Sequence, residues 1–186
     1  ISTKENPDWL KTNHYKYITV MRSAGVKYTT IDNTRKTVTD NKGQQIELQK
    51  VRVEGLSDTV LLVDSELKTL KEQSMYRRAC RVYEEGLKAI ESGIYRKGGT
   101  KKRDAVNLRL GRLKERSFGV HNDYEVTFEY DEKDITRSMS WKKKETRSQL
   151  TESSHGKYLI ATNMDENEEE NIWQFYNVIR TVEETF

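Results

Sequence analysis

One acidic residue near the end of the chain, Glu183, stands where a helix is expected to bury hydrocarbon. At 3.6 residues per turn, an apolar stripe runs through Ile172, Tyr176, Ile179 and Phe186, and Glu183 falls inside it. An ionised carboxylate that is buried without a partner costs several kcal/mol, so it must be paired, protonated or bound to a metal. Glu183 is therefore a candidate for chemistry on physical grounds.

A purely structural explanation of Glu183 is also open. If the edge of the stripe is partly exposed, Glu183 can pair with Arg180, which lies about one turn earlier on the same helix. Such a pair requires neither a metal ion nor a substrate.

Basic residues are concentrated in two short segments. Residues 96–103 contain five bases in eight positions, and a second cluster comprises Lys142, Lys143, Lys144 and Arg147. Clusters of this density suit a polyanion such as DNA. Ordinary solvated surface accounts for either cluster equally well.

Other residue types give weaker signals. His14, His121 and His155 are far apart in the sequence and lack the spacing of metal ligands. No glycine-rich phosphate loop follows a predicted strand, and no Gly-x-Ser-x-Gly elbow is present. The sequence gives no indication of a zinc site, a nucleotide-binding loop or a serine hydrolase.

The composition is that of a highly charged chain with a modest core. Of the 186 residues, 34% are hydrophobic and 34% are charged, and no apolar run approaches the ~18 residues of a membrane span. The single cysteine, Cys80, excludes an internal disulfide and is most simply a small core residue. These features favour a cytoplasmic protein without a membrane partner.

The patterns predict helices and strands that alternate along the chain. A helix over 3–13, with Thr3 as its cap, and a buried strand over 17–21 come first, as in a parallel α/β core. Antiparallel strands follow over 27–31, 46–53 and 59–63. In the middle strand the apolar phase slips, which indicates either a bulge or burial on both faces.

The second half of the chain contains two predicted hairpins. A helical hairpin spans about 65–117, and Thr100 is predicted to cap its second helix. The apolar stripe of its first helix consists of Met75, Ala79, Val82, Tyr83, Leu87, Ile90 and Ile94. A β-hairpin follows, in which residues 124–130 alternate strictly between apolar and polar. Residues 145–156 are expected to be a mobile loop, followed by a strand at 158–161 and a final helix capped by Asn163 or Asp165.

The end of the chain resembles the signature around the third acid of the DDE transposases. Tyr176, six residues, then Glu183, with an apolar residue before the acid and Phe186 three residues after it, is similar to the motif of the hairpin-forming insertion-sequence group, Tyr-x-x-Arg-x-x-x-Glu-x6-Lys. Ile179 stands at the motif's Arg position, with Arg180 next to it, and the motif's Lys would lie beyond Phe186.

Two further segments carry the resemblance. Residues 156–163 are similar to the strand that precedes the acid-bearing helix in that group, and residues 1–6 resemble the segment just after the second catalytic Asp. The resemblance spans the chain loosely, and the last thirty or so residues carry its specific motifs. It identifies the chain as an internal fragment of such a transposase.

The resemblance implies an RNase H-like fold in which three carboxylates hold two divalent metal ions, Mg²⁺ or Mn²⁺. Glu183 would be the third acid, and therefore both a catalytic residue and a metal ligand. The two Asp partners would precede Ile1. The fragment is accordingly expected to be inactive alone and to bind no metal.

The resemblance also implies partners. Double-stranded DNA, as transposon ends and target, would be bound by a homodimer. Trp141, beside Lys142, Lys143 and Lys144, would stack on a flipped base, with Tyr176 and Arg180 near the phosphates. Trp141 and Tyr176 could equally be core aromatics.

The fold class predicted is α+β: a partial RNase H-like core interrupted by a β-rich insertion that contains a helical hairpin. Residues 1–25 and 156–186 would belong to the core and residues 26–155 to the insertion. The alternative function is a non-catalytic DNA-binding or assembly module, and a nuclease that shares the core is a third.

Overall fold

The computed structural model describes residues 5–21, 26–166 and 168–185, with the side chains of Glu5 and of residues 183–185 excluded. The chain forms two compact units, which we call the sheet unit (residues 1–70 and 156–186) and the helical unit (residues 71–155). Helices and antiparallel strands are both present, so the predicted α+β class is confirmed.

The sheet unit is built from segments at both ends of the chain. Its elements are α1 (Glu5–Thr12), β1 (Ile18–Met21), β2 (Tyr28–Thr30), β3 (Lys36–Thr39), β4 (Gln45–Val53), β5 (Thr59–Ser65), β8 (Lys157–Thr162) and α5 (Glu169–Thr185). The strands lie in the order β1-β8-β5-β4-β2, with β3 also paired to β4. Every pair among these strands is antiparallel.

The central strands of this sheet are buried on both faces, which explains their nearly continuous apolar sequences. Leu61, Val63 and Ile160 pack into the cluster that contains Ile172 and Trp173 of α5. The opposite face carries a second buried cluster, consisting of Val51, Val60, Leu159 and Ala161. Helix α5 covers one face of the sheet, and the other face has a smaller apolar cluster of its own.

The phase slip predicted in β4 comes from burial on both faces. Ile46 and Leu48 belong to the cluster under α5, whereas Val51 is buried on the other side of the sheet. The pairing of β4 with β5 continues without interruption from Ile46, opposite Ser65, to Val51, opposite Val60. No bulge is needed, because each face of the sheet has its own core.

The first strand differs from its prediction. β1 pairs antiparallel with β8, Ile18 lying opposite Thr162, and it forms an edge of the sheet rather than part of a parallel core. It is half-buried, and Val20 is 37% exposed. β8 enters between β1 and β5 and runs opposite to both, which leaves β1 with a neighbour on one side.

The structure corrects the predicted caps of the terminal helices. Asn163 accepts a hydrogen bond from the backbone N–H of Tyr17 (2.8 Å), and Asp165 pairs with Lys16 (2.9 Å). Both residues therefore tie β8 to the start of β1, and α5 begins later, at Glu169. The predicted cap of the first helix, Thr3, lies outside the described residues.

The predicted domain division coincides with the structure at one boundary. The helical unit ends at residue 155, as predicted, but it begins at residue 71 rather than 26. Residues 26–65 supply β2 to β5, which complete the sheet that β1 and β8 share. These strands are antiparallel, as their pattern predicts, and β5 pairs with β8 from the other end of the chain.

The helical unit contains both predicted hairpins. Its elements are α2 (Glu66–Tyr95), whose first turn belongs to the sheet unit, α3 (Arg103–Glu115), a 3₁₀ turn (Val120–Asp123), β6 (Tyr124–Tyr130), β7 (Thr136–Lys143) and α4 (Glu145–Ser153). Their shared core consists of Tyr76, Cys80, Tyr83, Leu87, Ile90, Ile94, Val106, Leu110, Val120, Tyr124 and Met139.

Three predictions for this unit are wrong. Met75 and Val82 are exposed, because the start of the buried stripe of α2 runs through Tyr76 and Cys80 instead, whereas the predicted Tyr83, Leu87, Ile90 and Ile94 are buried. Thr100 does not cap α3, whose N-cap position is Lys102 without a side-chain hydrogen bond. The expected loop after residue 144 contains α4.

Candidate functional site

The C-terminal helix α5 carries the predicted catalytic acid. Its buried face consists of Glu169, Ile172 and Trp173, with Tyr176 half-buried. The backbone of Glu183 lies in this helix, two turns after Tyr176, which places its Cα on the same side. The side chain of Glu183 is not among those described, so its catalytic and metal-binding role remains a prediction.

A different acid is buried at the start of α5. Glu169 is 4% exposed, and its carboxylate pairs with Lys36 and Lys50, each at 3.3 Å. Burial raises the pKa of Glu169, but its own backbone N–H and the two lysines outweigh this effect and leave the pKa below its usual value. Because two cations occupy its oxygens, Glu169 anchors the helix on β3 and β4.

Sequence analysis missed Glu169, although a signal existed. It lies three residues before Ile172 and four before Trp173, on the apolar face, at the N-terminal end of the helix where an acid is favoured. The adjacent Glu168 also reaches Lys36, at 2.5 Å, and raises the pKa of that lysine together with Glu169. The acidic run before α5 therefore includes part of an ion cluster.

The predicted DNA contacts on α5 have different environments. Tyr176 is half-buried, and its ring centre lies 6.0 Å from that of Tyr158 in β8, so it forms part of the sheet unit's core. Arg180 is exposed. The structure thus favours the core explanation of Tyr176, and contact of either residue with phosphate remains a prediction.

Trp141 packs inward from β7. It lies opposite Val126, its ring centre is 6.2 Å from that of Tyr124, and it contacts the core of the helical unit. The side chain is half-buried, and it lines a pocket of about 220 Å³ together with Thr127 and Ser140. Its packing is that of a core aromatic with an accessible edge.

The basic cluster after Trp141 is engaged in local contacts. Lys142 pairs with Glu125 (3.0 Å), and Lys143 lies 5.0 Å above the ring of Tyr76. Lys144 donates a hydrogen bond to the carbonyl of Asn122 (3.2 Å). All three lysines remain solvent-exposed, so they contribute positive potential, but each has a neighbour in this structure.

A buried polar network explains why α4 forms beside this cluster. Asp123 is 3% exposed and accepts a hydrogen bond from the Tyr76 hydroxyl (2.7 Å). Arg147 pairs with Asp123 at 3.3 Å, and the hydroxyl of Ser148 lies 3.2 Å from that of Tyr76. Burial, together with the bond to Asp123, raises the pKa of Tyr76. Two residues of α4 thus dock on a fixed carboxylate.

The described part of the chain contains no preformed metal-binding site. No group of three or more His, Cys, Asp or Glu side chains is placed to hold a metal ion there. A carboxylate is the ligand type that Mg²⁺ or Mn²⁺ prefers, so Glu183 has suitable chemistry for one position of such a site.

No described helix is long and apolar enough to cross a membrane. No protein-family model, curated protein or solved structure matches this chain.

Proposed function

We propose that this chain is part of a DDE transposase, which cleaves DNA at the ends of an insertion sequence and joins them to a target. In this proposal Glu183 is the third acid of the catalytic triad. The intact protein acts on double-stranded DNA as a dimer in the cytoplasm. Catalysis in this proposal requires two further acids to complete the triad with Glu183.

The packing of α5 in the sheet unit carries the proposal. α5 contacts β1, β4, β5 and β8 within one unit, although β1 and α5 are separated by almost the whole chain. An RNase H-like core requires this arrangement, because the segment after the second acid and the helix with the third acid must converge. The chain leaves the sheet unit after residue 70, forms the helical unit over residues 71–155 and returns to the sheet unit at residue 156, as it would around an insertion.

A second observation agrees with this proposal. The outer stripe of α5, which consists of Phe175, Val178, Ile179 and Val182, is between 42% and 62% exposed. Ile179 was predicted on the buried stripe with Ile172 and Tyr176, but at 42% exposure it belongs to the outer one. Its spacing of i, i+3, i+4 and i+7 is that of a helix face that packs against another element. The rest of an RNase H-like core would cover this stripe in the intact protein.

The chemistry assigns distinct tasks to residues of this chain. Divalent metal ions held by the three acids would activate the attacking oxygen and stabilise the leaving oxygen. Glu183 would supply carboxylate oxygens to that site, and Glu169, through Lys36 and Lys50, holds the start of the helix on the sheet. The exposed lysines 142–144 would raise the positive potential that attracts DNA.

The proposal is tested by Glu183→Gln in the intact parent protein. The amide keeps the shape of the side chain but removes the charge that a divalent metal requires, so cleavage of a transposon-end duplex should fall by orders of magnitude. Folding and DNA binding should persist. Glu184→Gln is the matched control, because position 184 lies about 100° around the helix from position 183 and would not direct its carboxylate to the same point. Equal loss in both variants, or full activity in Glu183→Gln, would reject the assignment.

A non-catalytic DNA-binding or assembly module is the second candidate. It is favoured by the inward packing of Trp141 and by the contacts of Lys142 and Lys143, which a structural role explains without a substrate. In that case Glu183 would be an ion-pair partner of Arg180, worth under about 1 kcal/mol if exposed, and Glu183→Gln would leave activity intact.

A further inference from the structure

A row of three arginines lines a groove within the helical unit. Arg109, Arg112 and Arg116 of α3 and its C-cap, with Leu113, face Gly86, Ala89 and Ile90 of α2 around a pocket of about 250 Å³. The arginines are spaced i, i+3 and i+7, so they share one side of the helix and extend over about 10 Å.

Close packing of the two helices forms the floor of this groove. A side-chain carbon added at Gly86 would lie 2.4 Å from Leu113, so glycine permits α3 to approach α2 at this point. Farther along α2, a carbon added at Gly93 would lie 3.3 Å from the Arg109 guanidinium, which places that head group against the helix. The groove thus has an apolar floor and a cationic wall.

The arginines of the wall lack the close ion pairs that other arginines of the helical unit make within the described part of the chain. None of the three arginines makes an ion pair there, in contrast to Arg103 with Asp134 (3.1 Å) and Arg147 with Asp123 (3.3 Å). The negative end of the α3 dipole favours Arg112 and Arg116 but does not reach Arg109, which lies in the middle of the helix. Three like charges on one face repel unless an anion binds them.

The surrounding sequence indicates what kind of anion fits. Residues 96–116 contain nine bases and two acids, a net charge of +7 in a chain whose total is +3. A small anion needs a few donors, whereas a charge of this size along a helix matches a polyanion with repeating phosphates. Arginine is also the side chain best suited to bidentate contact with phosphate.

We propose that the groove lined by Arg109, Arg112 and Arg116 binds the phosphate backbone of duplex DNA. Successive phosphates along one strand would lie on the three guanidinium groups, and the apolar floor would keep them partly shielded from solvent. These contacts are independent of base sequence. The site is separate from Glu183, and the proposal rests on the proposed function solely in taking DNA as the polyanion.

The test measures binding of the 186-residue chain to a fluorescently labelled duplex of arbitrary sequence at several salt concentrations. The triple variant with Arg109, Arg112 and Arg116 changed to Gln should bind about tenfold or more weakly at low salt. The slope of log K against log salt should become shallower by about 2 to 3. Arg78, Arg81 and Lys88 changed to Gln form the matched control, with the same loss of charge on the exposed side of α2.

If the melting temperature of the triple variant is lower than that of the wild type, the single variant Arg112→Glu replaces it. Unchanged affinity and slope in the groove variants, an equal effect of the control, or binding to heparin without binding to the duplex would overturn the proposal. If Glu183→Gln leaves cleavage intact, the proposed DNA-binding groove is unaffected, because the salt-dependence experiment measures binding and not catalysis.

Discussion

At the scale of single residues, Glu169 is a buried charge of α5 whose partners are visible. Glu169 and Glu183 both lie on the helix face that helical spacing predicts to be apolar. The burial of Glu169 is explained by its ion pairs with Lys36 and Lys50. Sequence spacing detects an acid in an apolar stripe, but it does not show which lysines from distant strands reach it. The partners of Glu169 come from β3 and β4, more than a hundred residues earlier.

Glu169→Gln should lower the free energy of unfolding by about 1 to 3 kcal/mol at pH 7, because Lys50 loses the anion that compensates its burial. Urea denaturation of the chain measures this difference. Glu170→Gln, one position along and exposed, is the control and should change stability little.

The contribution of Glu169 should also depend on pH in one direction. Its pKa in the folded chain lies below its value of 4.5 in the unfolded chain. The stabilisation is therefore present above about pH 4.5 and is lost as the pH falls through the lower, folded-state pKa. The stability curves of the wild type and Glu169→Gln should converge in acid. A constant difference across that range would contradict the ion-pair explanation.

At the scale of elements, apolar periodicity predicted the long helix, the β-hairpin and the final helix. It failed at α4, whose contacts with the unit are made by Arg147 and Ser148 on the buried Asp123 network. A helix held mainly by polar contacts lacks the apolar repeat that sequence patterns detect. At the start of α3 the preference of N-caps for threonine misleads, because Lys102 occupies that position without a side-chain hydrogen bond.

A mutation of Trp141 in the β-hairpin distinguishes two roles of this side chain. Inward packing predicts a loss of stability, whereas the predicted base contact predicts a loss of DNA binding. Trp141→Ala should lower the stability of the chain by about 2 to 4 kcal/mol, because it removes a half-buried ring from the core around Tyr124. Thermal unfolding monitored by circular dichroism measures the loss.

Lys142→Ala is the control for this change, since it removes a pair with Glu125 that is worth at most about 1 kcal/mol. An unchanged melting temperature in Trp141→Ala, combined with weaker DNA binding, would instead assign the ring to a ligand contact.

At the scale of the whole molecule, the α+β class follows from the sequence, but the boundary between the two units does not. The segments that became β2 to β5 have antiparallel patterns, and such patterns leave open whether a strand pairs within an insertion or with strands at both ends of the chain. In the structure, β8 lies between β1 and β5 and so joins β1 and the strands β2 to β5 into one sheet. Long-range pairing of this kind is not encoded in local periodicity.

The outer stripe of α5 gives the last prediction, because it separates a piece of a larger core from a self-sufficient module. Val178 is 62% exposed, so Val178→Lys should change the stability of the 186-residue chain by no more than about 0.5 kcal/mol. In the intact parent protein, where the rest of an RNase H-like core would cover the stripe, the same lysine would be buried and should lower the melting temperature by at least about 4 °C.

Arg180→Lys supplies the matched control, since position 180 is exposed about 160° around the helix from position 178, and the same introduced side chain should be neutral there in both proteins. Thermal scans of the two variants in the two proteins complete the comparison. If Val178→Lys is neutral in the parent protein as well, no further core covers α5, and the convergence of β1 and α5 would belong to a non-catalytic module. Destabilisation confined to the parent would place α5 inside a larger fold, as a helix that carries a catalytic acid requires.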